Sequence, residues 1–313
     1  MTTAAMTRSS SGLTGRISTF FFRRPTLFLL ALLTPPLLWL GIIYLGSLFS
    51  LLVQSLFSID EFTGMIVHKP TFDTLLQLFT PANLDIVIRT VVMASVVTLA
   101  SSAIAFPIAY YMARYARGRL KALLYLAIML PLWSSYLVRV YSWKLILAKE
   151  GILTWILAKL GLTPLLNSVL ALPVVGGSSL SVSYIGTFLV FLYIWMPYMI
   201  LPIQASLERV PSSLLEASAD LGAQPNQTFR TVILPLAFPG VVAGSIFTFS
   251  LTLGDYIIPG IIGSSRYFIG QAVYTHQGIA GNIPLAAAFS IVPIVIMSIY
   301  LTIAKRLGAF DAL

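Results

Sequence analysis

From Leu27 to Leu52 no residue carries a charge, and this run exceeds the roughly 20 apolar residues that take a helix across the hydrocarbon core of a bilayer. It is also too long for a secretory leader, whose apolar stretch is only about 7–15 residues and ends at a small-residue cleavage site. The run therefore reads as a retained first membrane helix, behind a Ser/Thr-rich segment and Arg23-Arg24. Further charge-poor windows predict six spans in all, near residues 27–53, 86–113, 120–147, 184–201, 238–262 and 284–304. Arg139 and Lys144 fall in the second half of the third span, so that half is expected at the outer interface or turned along the bundle. Only 9% of residues are charged and 58% are hydrophobic, against about 25% charged in an ordinary soluble domain. The expected fold class is an all-α polytopic membrane protein with one membrane domain.

Lys and Arg set the expected orientation. If residues 1–25 are cytoplasmic, the inside segments hold Arg8, Arg16, Arg23 and Arg24, then Arg114, Arg117, Arg119 and Lys121, then Arg209 and Arg230, and finally Lys305 and Arg306. The outside loops keep Lys69, Lys149, Lys159 and Arg266. An even number of spans then places both termini, 1–25 and 308–313, in the cytoplasm, around a six-helix membrane domain at 26–307. The net charge of +9 is spread beside apolar runs rather than gathered on one polar face, which excludes a nucleic-acid partner. The absence of Cys excludes disulfides and Cys-ligated metal sites.

Intramembrane enzymes are disfavoured by the same residue inventory. Zinc protease chemistry needs H-E-x-x-H, whereas His68 and His276 are isolated in outer loops. No G-x4-G-K-[ST] phosphate loop occurs, so no catalytic residue, metal or cofactor is expected. A secondary transporter would place ionisable residues inside the membrane for ion coupling; here only Arg139, Lys144 and Asp255 are candidates, all toward outer ends of spans. Pro107, Pro197, Pro202 and Pro293 lie in or at the ends of spans, as membrane helices tolerate.

The loop between the fourth and fifth spans, 207–236, carries the most information. Pro211, Ser212 and Ser213 are helix-start residues, and Ser213 with Glu216 has capping-box spacing. Leu214, Leu215, Ser218 and Leu221 then form one face, and Gly222 suits a left-handed stop. A second short segment at 226–233 follows. Such a helix–Gly–helix elbow either enters a groove of another protein or packs on its own bundle.

Glu216-Ala217-Ser218, Gly222, Val232, Leu234 and Pro235 resemble the EAA signature of binding-protein-dependent ABC importer permeases, E-A-A-x3-G-x9-I-x-L-P, with Ser for the second Ala and Val for Ile. Residues 105–114 resemble the opening of that family's core. Residues 130–143 and 253–259 are similar to the first permease subunit of the spermidine/putrescine subgroup. The segment 172–183, with Pro173 and Gly176-Gly177, is longer than that resemblance implies.

The resemblance implies a type I importer permease (MetI-like) fold in a bacterial inner membrane, forming a pathway for a polyamine or related cation, with opines and amino-acid derivatives as alternatives. It further implies a second permease subunit, two cytoplasmic ATPase subunits that perform the hydrolysis, and an external solute-binding protein. Glu216, Ala217, Ser218, Gly222, Leu234 and Pro235 would then couple to the ATPase. The pathway candidates are Asp255, Tyr256, Trp143 and Arg139. Asp255 either pairs with Arg139 or Lys144 to fix two helices, or joins Tyr256 in meeting an ammonium group.

Overall fold

The computed structural model describes residues 22, 24–60, 62–173 and 176–306. The expected tails at 1–25 and 308–313 lie outside the described residues, apart from Phe22, Arg24 and Pro25. The chain divides into two units, Met1–Gln54 and Ser55–Leu313.

The first unit contains one 30-residue apolar helix, α1 (Pro25–Gln54). Pro25 starts it, where a missing N–H costs nothing. Pro35 and Pro36 withhold two more donors inside it, and Trp39–Leu45 continues in the wider π register. Leu29, Trp39 and Phe49 are exposed, a surface suited to acyl chains rather than water.

The second unit opens with a small antiparallel hairpin, β1 (Ser58–Ile59) and β2 (Ile66–Val67). Asp60 accepts the Thr63 and Phe62 amides in its turn, which holds its carboxyl below the usual range. After α2 (Asp73–Gln77), α3 (Pro81–Arg114) is a full span. Ala94, Thr98, Ser101, Ala105, Ala109 and Met112 are buried at helical spacing, so one narrow face of mainly small side chains meets the bundle.

The third span is broken. α4 (Gly118–Trp133) and α5 (Tyr136–Ile146) meet at 97°. Ser134 turns extended, and both its amide and its hydroxyl donate to the Pro131 carbonyl, at 3.3 and 2.8 Å. The half that carries Arg139 and Lys144 is thereby turned away from the first half. Two short helices follow, α6 (Ile152–Lys159) and α7 (Thr163–Leu170). In the long segment after them, Leu180, Ser181 and Ser183 are buried.

Ser183 caps α8 (Tyr184–Glu208), its hydroxyl accepting the Gly186 amide at 3.1 Å. This helix is the centre of the unit, packed on α3 and on the span after the elbow, and Val190, Phe191, Ile194, Met199 and Ile203 are fully or almost fully buried. Next come α9 (Ser212–Asp220) and α10 (Pro225–Gly254). The expected separate segment at 226–233 is instead the first turns of α10, with π register at Phe229–Ile233. At the other end of α10, the expected fifth span ran on to 262. The helix stops at Gly254, because Asp255 turns extended and its Oδ1 accepts the Ile257 and Ile258 amides of α11 (Ile257–Ile261). α12 (Ile269–Gly278) and α13 (Ile283–Arg306) complete the chain. Among the described residues there are thus five continuous apolar spans, and six with the broken pair.

Gly240 and Gly244 explain how closely α10 crosses α8. A Cβ on Gly240 would stand 2.5 Å from the Pro202 carbonyl oxygen and 2.4 Å from Ser206 Oγ, and one on Gly244 would stand 2.7 Å from Met199 Sδ. The spacing is G-x-x-x-G, which lets membrane helices approach backbone to backbone.

Candidate functional site

Pro211 sets the start of the elbow. Its extended conformation (φ −65°, ψ 141°) makes it the N-cap residue, so Ser212 and Ser213 lie in the first helical turn. The expected Ser213–Glu216 capping box is absent for that reason: a proline at the cap starts the helix before Ser213 can take that position. The other end follows expectation. Gly222 has φ +75°, its amide donates to Ala219 O at 2.9 Å, and the Ala223 amide donates to Ser218 O at 3.1 Å, a Schellman stop.

The expected single face divides in two. Leu215 packs inward beside Phe229, and Ser218 is buried with its hydroxyl 2.8 Å from Thr228 Oγ1. Leu214, Ala217 and Leu221, with an edge of Ser218, line an open groove of about 400 Å³, and Leu221 is 88% exposed. Glu216 is exposed on the elbow helix, and Leu234 and Pro235 are exposed in α10. The elbow therefore grips its own bundle with one side and leaves an apolar, small-residue side open.

Sequence reasoning missed the polar fastening at the start of the elbow. Glu208 Oε1 accepts from Lys121 Nζ at 2.6 Å, Tyr125 OH at 3.2 Å and Gln204 Nε2 at 3.3 Å. Arg114 Nη2 donates to Val210 O at 3.1 Å. Apart from Gln204–Glu208, one helical turn apart, these contacts join residues too far apart in sequence for any local pattern to link them.

At the opposite end of the bundle Tyr136 is the hub. Its hydroxyl donates to Asp255 Oδ2, its ring stacks on Trp195 with centroids 6.0 Å apart, and the Arg139 guanidinium lies 5.9 Å from its centroid. Asp255 thus pairs with Tyr136 rather than with Arg139 or Lys144. Arg139 Nε and Nη1 are buried with no acceptor among the described residues. Trp143 lies against Tyr193, ring centroids 5.2 Å apart. Tyr256 stacks on Tyr274 at 5.1 Å beside a cavity of about 330 Å³ that also meets Gln277 and Ser290. Tyr136, Trp195 and Tyr274 were not singled out from sequence; aromatic content alone does not distinguish them from interface anchors.

Within Ser55–Leu313, four continuous spans and one broken span carry a two-sided elbow, an architecture suited to a membrane permease. The chain belongs to the family described as binding-protein-dependent transport system inner membrane component, whose model matches residues 105–309. It is an ABC importer permease subunit with the type I, MetI-like fold, and a multi-pass inner-membrane protein; permeases of this family are not themselves catalytic. It is 58% identical to the inner membrane ABC transporter permease protein YdcU of Escherichia coli (strain K12), over 96% of each chain. It is 28% identical to the spermidine/putrescine transport system permease protein PotB of the same strain, over 75% of this chain and 82% of PotB. A chain of the bacterial alginate ABC transporter, solved in complex with alginate pentasaccharide-bound periplasmic protein, shares the fold with TM-score 0.69 at 13% identity, covering 95% of this chain and 98% of its own.

Proposed function

We propose that this permease conducts a small amine, a polyamine or related cation, as one half of a heterodimer served by an external solute-binding protein. Two cytoplasmic ATPase subunits perform the hydrolysis and seat on the elbow through Leu214, Ala217, Leu221 and Glu216. Gly222, Leu234 and Pro235 set the elbow's shape, and Ser218 fastens it. The observation that carries this reading is the divided elbow helix, inward at Leu215 and Ser218 and open at the groove. In this reading 26–307 is the permease domain, the elbow at 207–236 and both tails are cytoplasmic, and 54–85 and 263–283 are external. The charge distribution supports that orientation.

The amine reading rests on the likeness to PotB and on the Tyr256–Tyr274 face, whose cavity meets neutral polar groups and no cation. Arg139 favours a second reading, an amine that also carries a carboxylate, because its buried Nε and Nη1 call for an acceptor. Purification in mild detergent should recover a second permease and an ATPase in stoichiometric amounts. Proteoliposomes of that complex should take up labelled putrescine or spermidine when ATP and the binding protein are supplied. A lone chain active without ATP would overturn the reading. Uptake of an amino acid competing better than either polyamine would select the second solute class.

A further inference from the structure

We propose that Glu208 is a positioning residue that passes movement of the elbow to the broken third span, and through it to the opposite mouth of the bundle. This rests on the coupling role given to the elbow above.

α4 packs on the core through Leu124, Tyr125 and Ile128, but none of its side chains is fully buried. Its polar attachment to the elbow is Glu208, the last residue of α8, whose Oε1 receives both Lys121 and Tyr125 of α4 together with Gln204 of its own helix. Lys121 and Tyr125 are one helical turn apart, so two contacts fix the rotation of α4 as well as its distance. Beyond the 97° bend, the next attachment is Tyr136, bonded to Asp255 where α10 ends and α11 begins. The bent helix is therefore tied by polar side chains at both ends of the bundle, at the elbow and at the junction holding Tyr256. The Lys121–Glu208 side chains are each 34% exposed, and an ion pair so placed adds little to stability. Its contribution is to fix register between two moving elements.

An accessibility reporter at the opposite mouth tests this. The chain has no Cys, so Leu137→Cys, exposed on α5 beside Tyr136, gives one labelling site on this subunit. The assembled importer, in proteoliposomes with its binding protein, is labelled with an impermeant maleimide with and without ATP and vanadate. The expected result is a several-fold change in labelling on trapping in the parent, abolished in Glu208→Gln while ATPase co-purification is retained. Uptake should fall by about tenfold, the size of a typical lost coupling. The swap Glu208→Lys with Lys121→Glu should restore both. A trapping response that survives in Glu208→Gln, a Glu208→Gln chain that no longer assembles, or a swap without rescue would overturn the proposal. A parent indifferent to trapping would count against the elbow's coupling role as well, which separates the two failures.

Discussion

The hydroxyls of Ser218 and Thr228 lie 2.8 Å apart, joining the elbow helix to the first turn of α10. Ser218 stands where the family signature has Ala, so Ser218→Ala is sterically acceptable but leaves the half-buried Thr228 hydroxyl without that contact. We expect a loss of about 1 kcal/mol, read as a small fall in the thermal midpoint of the detergent-solubilised complex, with import near the parental rate. Adding Thr228→Val should cost less than the sum of the two single changes, since both remove one bond.

Gly222 has open space around its Cβ position, so the cost of substitution there is purely conformational. Gly222→Val should destabilise the stop by about 1–2 kcal/mol or more, and reduce the amount of ATPase that co-purifies. Gly222→Asn should fall between Val and the parent, because Asn enters the left-handed region more readily. Equal recovery of ATPase with all three residues would dissociate the left-handed turn from coupling.

Gly240 presents the reverse case, with helical backbone and no room. Gly240→Ala places a methyl against the Pro202 carbonyl, and overpacking of this kind costs about 1–3 kcal/mol. Complex yield should drop, and further with Val. Ala at Gly254, with nothing within 4 Å of its Cβ position, should cost much less.

Asp255→Asn keeps an oxygen for the α11 amides but puts an NH2 where Oδ2 accepts the Tyr136 hydroxyl. Assembly yield should fall, Tyr136→Phe should reproduce most of the loss, and the double variant should be little worse than either single. Neutralising Arg139 or Lys144 should give no rescue, since neither base bonds Asp255. Normal yield with reduced amine uptake in Asp255→Asn would instead assign the carboxylate to the solute.

His276 stacks on Phe289 at 5.8 Å, and burial lowers its pKa from the ordinary 6.5. The folded chain therefore favours the neutral ring. This contribution is fully present above about pH 6.5 and is lost as pH falls through the lowered folded value. Thermal midpoints should decline from about pH 7 to about pH 5, and His276→Phe should flatten that decline.

The spans were legible because freedom from charge over a membrane's thickness has few other outcomes. Their ends were less so. The apolar run through 238–262 gives no sign that Asp255 will stop one helix and cap the next, since that depends on its side chain reaching two amides. In the elbow, Leu214 and Leu215 are adjacent and equally apolar, and which one faces the bundle is fixed by the direction in which Pro211 launches the helix. The bend at Ser134 had a local signal in Pro131 and in the polar residues beyond it. Glu208 and Lys121 had none, because charge pairing across 87 positions leaves no periodic trace. Gly240 and Gly244 were readable at their spacing and were missed.

The glycine crossing of α10 on α8 has a mechanical consequence. At Gly240 the Pro202 backbone carbonyl comes within 2.5 Å of the Cβ position, so little pliable side chain lies between the helices there to absorb relative sliding. The elbow joins the near ends of this welded pair, so a push on it cannot pry the two helices apart. On the coupling role proposed above it would turn them together, as a crank turns a shaft, and angular movement delivered at Glu208 would arrive at Gly254 with little lost along the way.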